Sequence, residues 1–183
     1  MRAAAGSRVQ RDQALARGVV VHRLLQSLPD IPSAARAEVA RHHLARTATE
    51  FSAKERDTIL EQILLLLEDP RFAQLFLPGS RAEVSIVGRL NGGTLAVSGQ
   101  VDRLAVTSDS VLIADYKTNR PAPRSLAEVP PAYVRQLALY RAVLMRLYSG
   151  KRIRAALVWT DVPELMEISD ARLDAALAAI TSP

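Results

Sequence analysis

The fold is decided by one stretch of the chain, SGQVDRLAVTSDSVLIADYKT at residues 98–118. A first apolar run leads to Asp102, and a second run, after a short polar turn, ends at Asp115 and Lys117. Side chains two positions apart on a strand point to the same face of a sheet. Asp115 and Lys117 should therefore project together, and a hairpin partner strand could bring Asp102 beside them.

Two carboxylates and one ammonium group at a common point form a recognisable kind of site. Carboxylate oxygens are ligands for hard divalent cations, and a bound cation lowers the pKa of its water. A fixed positive charge close by stabilises the negative charge that develops during the reaction. The pattern of Asp102, Asp115 and Lys117 therefore indicates metal-assisted hydrolysis of a phosphodiester.

Patterns on both sides of this stretch predict the other elements. Apolar residues at helical spacing predict helices, and alternation of apolar and polar residues predicts strands. Residues 52–55 form a capping box, and Asn91–Gly93 is a hairpin turn. The predicted helices are 13–28, 33–47, 52–68, 71–76, 132–148 and 171–180, and the predicted strands are 83–90, 95–106, 111–117, 153–160 and 164–168.

This order of elements predicts the fold class. Helices, three antiparallel strands, a helix and a further strand make an α/β protein with a mixed sheet flanked by helices. The 183 residues, 49% of them apolar, are sufficient for one core. We expect a single domain over residues 1–183, with an N-terminal helical arm at about 13–77 and the catalytic sheet and helices at about 81–181.

The amino-acid composition excludes some cofactors and indicates the charge of the partner. The absence of cysteine excludes disulfides, thiolate zinc sites and iron–sulfur clusters. A net charge of +5 and an isoelectric point near 10.1 favour a polyanionic partner. No apolar run approaches the roughly 18 residues that a membrane span needs. Residues 1–11 are basic and lack the apolar core of a signal peptide, so we expect a cytoplasmic protein.

Four blocks of the sequence together resemble the PD-(D/E)XK nuclease superfamily, and in particular the C-terminal nuclease domain of RecB-like helicase–nuclease subunits of the AddA type. The blocks are GVVVHRLL at 18–25, GQVDRL at 99–104, DYKTNR at 115–120 and YVRQLALY at 133–140. The resemblance extends over about residues 15–168. It implies a restriction-endonuclease-like αβββαβ core with the helical arm in front of it.

The resemblance also implies a role for individual residues. Asp102, Asp115 and Lys117 match the catalytic residues of the family. The metal ligands match His22, Asp102, Asp115 and the main-chain carbonyl of Tyr116, with Mg²⁺ or Mn²⁺ as the ion and no iron–sulfur cluster. Without the resemblance, His22 would be an ordinary packed or surface histidine, and Lys117 could simply form an ion pair with Asp115.

Five further residues each have two interpretations. Glu83 is a third acid of the site or an exposed glutamate at the start of a strand. Gln136 and Tyr140 share one helix face and match a Q-x-x-x-Y element. They brace the catalytic strands and contact DNA, or Tyr140 is a core residue with a satisfied hydroxyl. Arg120 and Arg135 follow the DNA backbone or are ordinary surface charges.

The function implied by the resemblance is that of a metal-dependent deoxyribonuclease. It would be an exonuclease in a bacterial ATP-dependent helicase–nuclease that processes double-strand break ends for recombinational repair. Expected partners are DNA, as a single-stranded end or unwound strand, an AddB-type subunit, and a helicase motor outside this chain, which has no phosphate loop. The alternatives are a catalytically silent DNA-binding scaffold and a CRISPR-associated or phage-type exonuclease.

Overall fold

The computed structural model describes residues 2–181, with side chains from residue 10 onward. These residues form five α-helices and five strands. The helices are α1 (Arg2–Ser27), α2 (Ser33–Thr47), α3 (Ala53–Glu68), α4 (Pro131–Leu147) and α5 (Asp170–Thr181). The strands are β1 (Arg81–Leu90), β2 (Leu95–Val106), β3 (Ser110–Lys117), β4 (Arg152–Trp159) and β5 (Glu164–Ile168).

Local sequence signals account for most of these bounds. At the start of α3 the capping box is formed, since the Glu55 N–H donates to Ser52 Oγ at 3.3 Å and the Ser52 N–H donates to Glu55 Oε2 at 2.8 Å. The largest difference from prediction is α1, which begins at Arg2 and not at residue 13. Alanine and arginine favour a helix there without an apolar stripe that periodicity could detect.

The five strands lie in the order β1-β2-β3-β4-β5. β1 pairs antiparallel with β2, and β2 with β3. β4 runs parallel to β3, because the Arg152 N–H donates to the Asp109 carbonyl and the Thr160 N–H to the Lys117 carbonyl, so the paired residue numbers rise together. The predicted α/β class with a mixed sheet is therefore confirmed.

The chain divides into two compact units. The first comprises Met1–Phe72, Lys117–Ala122 and Trp159–Glu164, and the second comprises Ala73–Tyr116, Pro123–Val158 and Leu165–Pro183. In the first unit, α1 and α3 contribute fully buried side chains such as Leu25 and Leu66. In the second, α4 packs on β1 and β2 over buried central strands. The expected single domain stays a prediction.

None of the helices within residues 2–181 has the combination of length and apolar character that crossing a membrane requires.

Candidate functional site

Two acidic side chains face each other across the β1–β2 ladder. Ala82 pairs with Arg103 and Val84 with Val101, which places Glu83 opposite Asp102. A carboxylate oxygen of Glu83 and one of Asp102 lie within 4.8 Å of each other. Metal–oxygen bonds of about 2.0–2.6 Å would allow both oxygens to reach one divalent ion. The second unit thus holds a pair of carboxylates suited to a hard cation.

The backbone at Glu83 is in the left-handed region, with φ at 53°. This conformation is unfavourable for a residue with a Cβ, and it interrupts the regular pairing of β1. The side-chain amide of Gln100 donates to the Glu83 carbonyl at 3.0 Å and thereby occupies an acceptor at this interruption. The strained backbone thus coincides with one of the two facing carboxylates, and such strain clusters at functional sites.

A main-chain hydrogen bond orients the carboxylate of Asp102. The Tyr116 N–H donates to Asp102 Oδ2 at 2.6 Å. The last regular pair between β2 and β3 is Arg103 with Ala114. Asp102 and Asp115 each lie one residue beyond this pair on their own strands. The two strands therefore stop pairing at the positions of the two aspartates. As a result, the main-chain amide of Tyr116 bonds to the Asp102 carboxylate and not to the neighbouring strand.

Asp115 and Lys117 occupy alternate positions on β3, as the sequence pattern predicts. Asp115 is only 5% exposed, so its carboxylate has lost most of its contact with water. Lys117 is the last residue of the strand and is half-buried. Its carbonyl accepts hydrogen bonds from the Thr160 N–H at 3.0 Å and the Thr160 hydroxyl at 3.3 Å. These bonds fix the backbone that carries the amine.

Sequence reasoning missed Arg103, a buried cation that follows Asp102 on β2 and points to the opposite face of the strand. It is 2% exposed, donates from Nε to the Leu75 carbonyl at 3.1 Å and from Nη2 to Ser80 Oγ at 2.6 Å, and lies 5.2 Å from the Phe76 ring centroid. The strand alternation offered a signal, since Arg103 shares its face of β2 with apolar Val101. Arg103 adds a fixed positive charge to this region.

The pKa of the Tyr116 hydroxyl depends on its burial and on the charged residues around it. Burial raises the pKa of Tyr116 well above its usual value, Arg103 acts in the opposite direction, and Asp102 and Glu83 add to the rise. The phenol is therefore protonated at neutral pH. It cannot serve as an anionic ligand, which leaves the main chain of Tyr116 as the part that serves the site.

Gln136 and Tyr140 meet on one face of α4, as their spacing predicts. Gln136 Nε2 donates to the Tyr140 hydroxyl at 3.2 Å. The ring of Tyr140 lies against β2 at Gly99, three residues before Asp102, where any Cβ would collide with it. Tyr140 is 7% exposed. Tyr140 therefore packs against the strand that carries Asp102, and the roles of Gln136 and Tyr140 in bracing the site or contacting DNA stay predictions.

The remaining predicted residues lie on other elements. His22 is half-buried on α1 in the first unit, next to buried Val21. Arg120, also in the first unit, forms an ion pair with Asp161, with 2.7 Å between Nε and Oδ1. Arg135 is exposed on α4 in the second unit. Their roles in metal or DNA binding stay predictions.

The sheet is mixed, and acidic residues stand where β2 and β3 stop pairing. Comparison with known proteins identifies the family that has this arrangement. A model of the PD-(D/E)XK nuclease superfamily matches residues 2–179. The chain belongs to this superfamily, whose members are typically metal-dependent nucleases.

Comparisons at the level of single proteins add little. Among solved structures, the chain is similar to SSO0001, with 17% sequence identity over 89% of this chain and 76% of that one and a TM-score of 0.36. No curated protein matches the chain.

Proposed function

We propose that this protein is a metal-dependent DNA nuclease. The observation that carries the proposal is the placement of Glu83 opposite Asp102, with a carboxylate oxygen from each within 4.8 Å and Asp102 oriented by the Tyr116 amide. Two carboxylates this close repel each other unless a cation lies between them. Membership of a nuclease superfamily supports the same conclusion.

The proposed metal ligands are two carboxylates and an imidazole. Glu83 and Asp102 each offer one carboxylate oxygen, and these two oxygens lie within 4.8 Å of each other. By family resemblance, His22 supplies the imidazole. Two carboxylates suit Mg²⁺, and the imidazole is better tolerated by Mn²⁺. By family resemblance, Asp115 and the carbonyl of Tyr116 contribute to the same site. When bound, the ion supplies an acidic water and polarises the phosphate.

The other residues of the site act on the substrate and the water. Lys117 presents its ammonium to the charge that develops on the phosphate, or orients the attacking water, without reorganisation during the reaction. Gln136 and Tyr140 keep β2 in position, so that Asp102 stays aligned. Sequence-specific recognition is not expected, because aromatic residues are only 4% of the chain and arginine contacts to phosphates carry no base information.

The biological setting follows from the resemblance alone. The blocks around His22, Asp102, Asp115 and Tyr140 resemble the AddA type, so we propose an exonuclease that trims DNA ends for recombinational repair. It would act on a single strand delivered by a helicase motor and together with an AddB-type subunit. A purified helicase–nuclease containing this domain would degrade duplex ends only when ATP is supplied.

The proposed nuclease activity is tested on labelled single-stranded DNA with the purified 183-residue chain. Cleavage should require Mg²⁺ or Mn²⁺, stop with EDTA, and fall at least about a hundredfold in Asp115→Ala and Lys117→Ala. Matched controls are Asp57→Asn and Lys54→Ala, two exposed positions on α3. Cleavage by Asp115→Ala and Lys117→Ala at the parent rate would refute the assignment. Metal titration without any specific site would favour the silent scaffold.

A further inference from the structure

Arg17 and Arg120 converge on one carboxylate in the first unit. Arg120 Nε lies 2.7 Å from Asp161 Oδ1, and Arg17 Nη2 lies 3.9 Å from the same oxygen. Gln62 links the cluster, because its carbonyl oxygen accepts from Arg17 Nη2 and its amide donates to the Asp161 carbonyl at 3.1 Å. Four polar side chains from α1, α3 and two loops thus form one network, the Arg17 cluster.

The charges of the Arg17 cluster do not balance. Two guanidinium groups share one carboxylate, so the cluster has an excess positive charge. Arg17 is 8% exposed, and its Nη1 is buried with no hydrogen-bond acceptor among the residues that the structure describes. Burial and the charge of Arg120 lower the pKa of Arg17, and Asp161 opposes them. A buried donor without an acceptor is costly, and so are like charges held together.

An additional anion would remove this imbalance. It would screen the repulsion between Arg17 and Arg120, and it could accept hydrogen bonds from the guanidinium of Arg120, which is 51% exposed. Arg17 would then be the natural partner of Asp161, since Gln62 already holds it in place. The Arg17 cluster therefore lacks one negative charge as an ion-pair network, and a bound anion would supply it.

Two members of the Arg17 cluster, Arg120 and Asp161, lie on the loops that follow the parallel strands β3 and β4. Lys117 ends β3 three residues before Arg120, and Asp161 follows directly after Thr160, which holds the Lys117 carbonyl. On the helix side, a Cβ at Gly18 would lie 3.3 Å from the Thr118 hydroxyl, so α1 closely approaches the loop after Lys117. Ligands commonly bind beyond the carboxyl ends of parallel strands.

We propose that the Arg17 cluster binds a backbone phosphodiester of the DNA strand, next to the phosphate presented to Lys117. Arg120 contacts the phosphate, and Asp161, which Gln62 and Arg17 hold in place, positions Arg120. The bound phosphate offsets the repulsion between the guanidinium groups of Arg120 and buried Arg17. The inference rests on the proposed nuclease function and deepens it, because it names a group that holds the strand without cutting it.

The test is equilibrium binding of a 5′-hydroxyl oligothymidylate to the full chain in EDTA, measured by fluorescence anisotropy at several salt concentrations. Arg120→Gln should weaken binding about tenfold. It should also reduce the slope of log K against log salt by about 0.7, the value for one phosphate contact on a single strand. Asp161→Asn should tighten binding about threefold, because it removes a carboxylate that repels the phosphate.

The controls are Arg41→Gln and Asp57→Asn, which make the same charge changes at exposed positions of the same unit. Both should leave the slope and affinity unchanged within about twofold. If Arg120→Gln keeps the parent slope, the phosphate site is refuted while the nuclease proposal stands. If the parent chain binds no strand at all, both proposals fail. If Asp161→Asn does not fold, Arg120→Gln decides the matter alone, since its half-exposed side chain can be replaced without opening a core.

Discussion

The hydroxyl oxygen of Tyr140 lies 2.0 Å from the point that a β carbon on Gly99 would occupy. No side chain larger than hydrogen fits there without displacing the aromatic ring or the strand. Because Tyr140 also accepts a hydrogen bond from Gln136, the ring is held in place on the helix side. The position of β2, and with it that of Asp102, therefore depends on the absence of a side chain at residue 99.

Gly99→Ala should lower both stability and cleavage. The added methyl group forces α4 and β2 apart, which costs about 1–3 kcal/mol of unfolding free energy. A chain of this size then melts about 2–4 °C lower for each kcal/mol, which differential scanning calorimetry can measure. The control is Gly99→Ala combined with Tyr140→Ala, in which the collision is removed. Its loss should be smaller than the sum of the two single losses, and strict additivity would contradict the steric explanation.

Glu83→Gly should make the protein more stable and less active. Glycine relieves the left-handed backbone at φ 53°, a gain of about 1 kcal/mol in urea unfolding, while the carboxylate is lost. Glu83→Gln should lose cleavage without the gain in stability. Asn91→Gly is the control, because Asn91 also has a positive φ, of 48°, at the hairpin end of β1. It should leave cleavage intact. Full activity in Glu83→Gly would exclude this carboxylate from the site.

Mn²⁺ should raise the melting temperature of the parent chain in a concentration-dependent way. Binding to the folded state alone contributes about 2.7 kcal/mol at a hundredfold excess over Kd. Asp102→Asn should abolish the shift, since it removes the carboxylate charge that the Tyr116 amide orients. Asp57→Asn should retain it. The same shift in Asp102→Asn and in the parent would mean that the ion binds elsewhere. This readout is independent of catalysis and so separates metal binding from cleavage.

The Arg154–Glu167 pair should make stability depend on acidity. The hydrogen bonds from Arg154 hold the pKa of Glu167 below its usual value of 4.5, so this carboxylate stabilises the fold above that pH and loses its contribution as the pH falls through the lowered folded-state pKa. The difference in melting temperature between the parent and Glu167→Gln should be constant above about pH 5.5 and decrease as the pH falls below 4.5. Glu61→Gln, at an exposed position on α3, is the comparison. A difference that does not change with pH across this range would rule out the ion pair as its cause.

Local sequence patterns were sufficient for the elements and for the placement of several candidate residues within them. The apolar runs, the capping box at Ser52 and the hairpin turn Asn91–Gly93 predicted the helices and strands to within a few residues, except for the start of α1. Strand alternation placed Asp115 and Lys117 on one face, and helical spacing brought Gln136 to Tyr140. These predictions succeed because the responsible interactions lie within a few residues of each other.

The tertiary structure decided the relations between residues that are distant along the chain. The sequence left Glu83 with two interpretations, and the register of β1 against β2 places it opposite Asp102. The burial of Arg103 against Phe76 depends on a turn more than twenty residues away. Nothing in the sequence joins Arg17, Gln62 and Asp161, because alternation and helical period carry no information about which distant elements will pack together. Sequence alone determined the chemistry available to this protein, and packing determined which groups can act together.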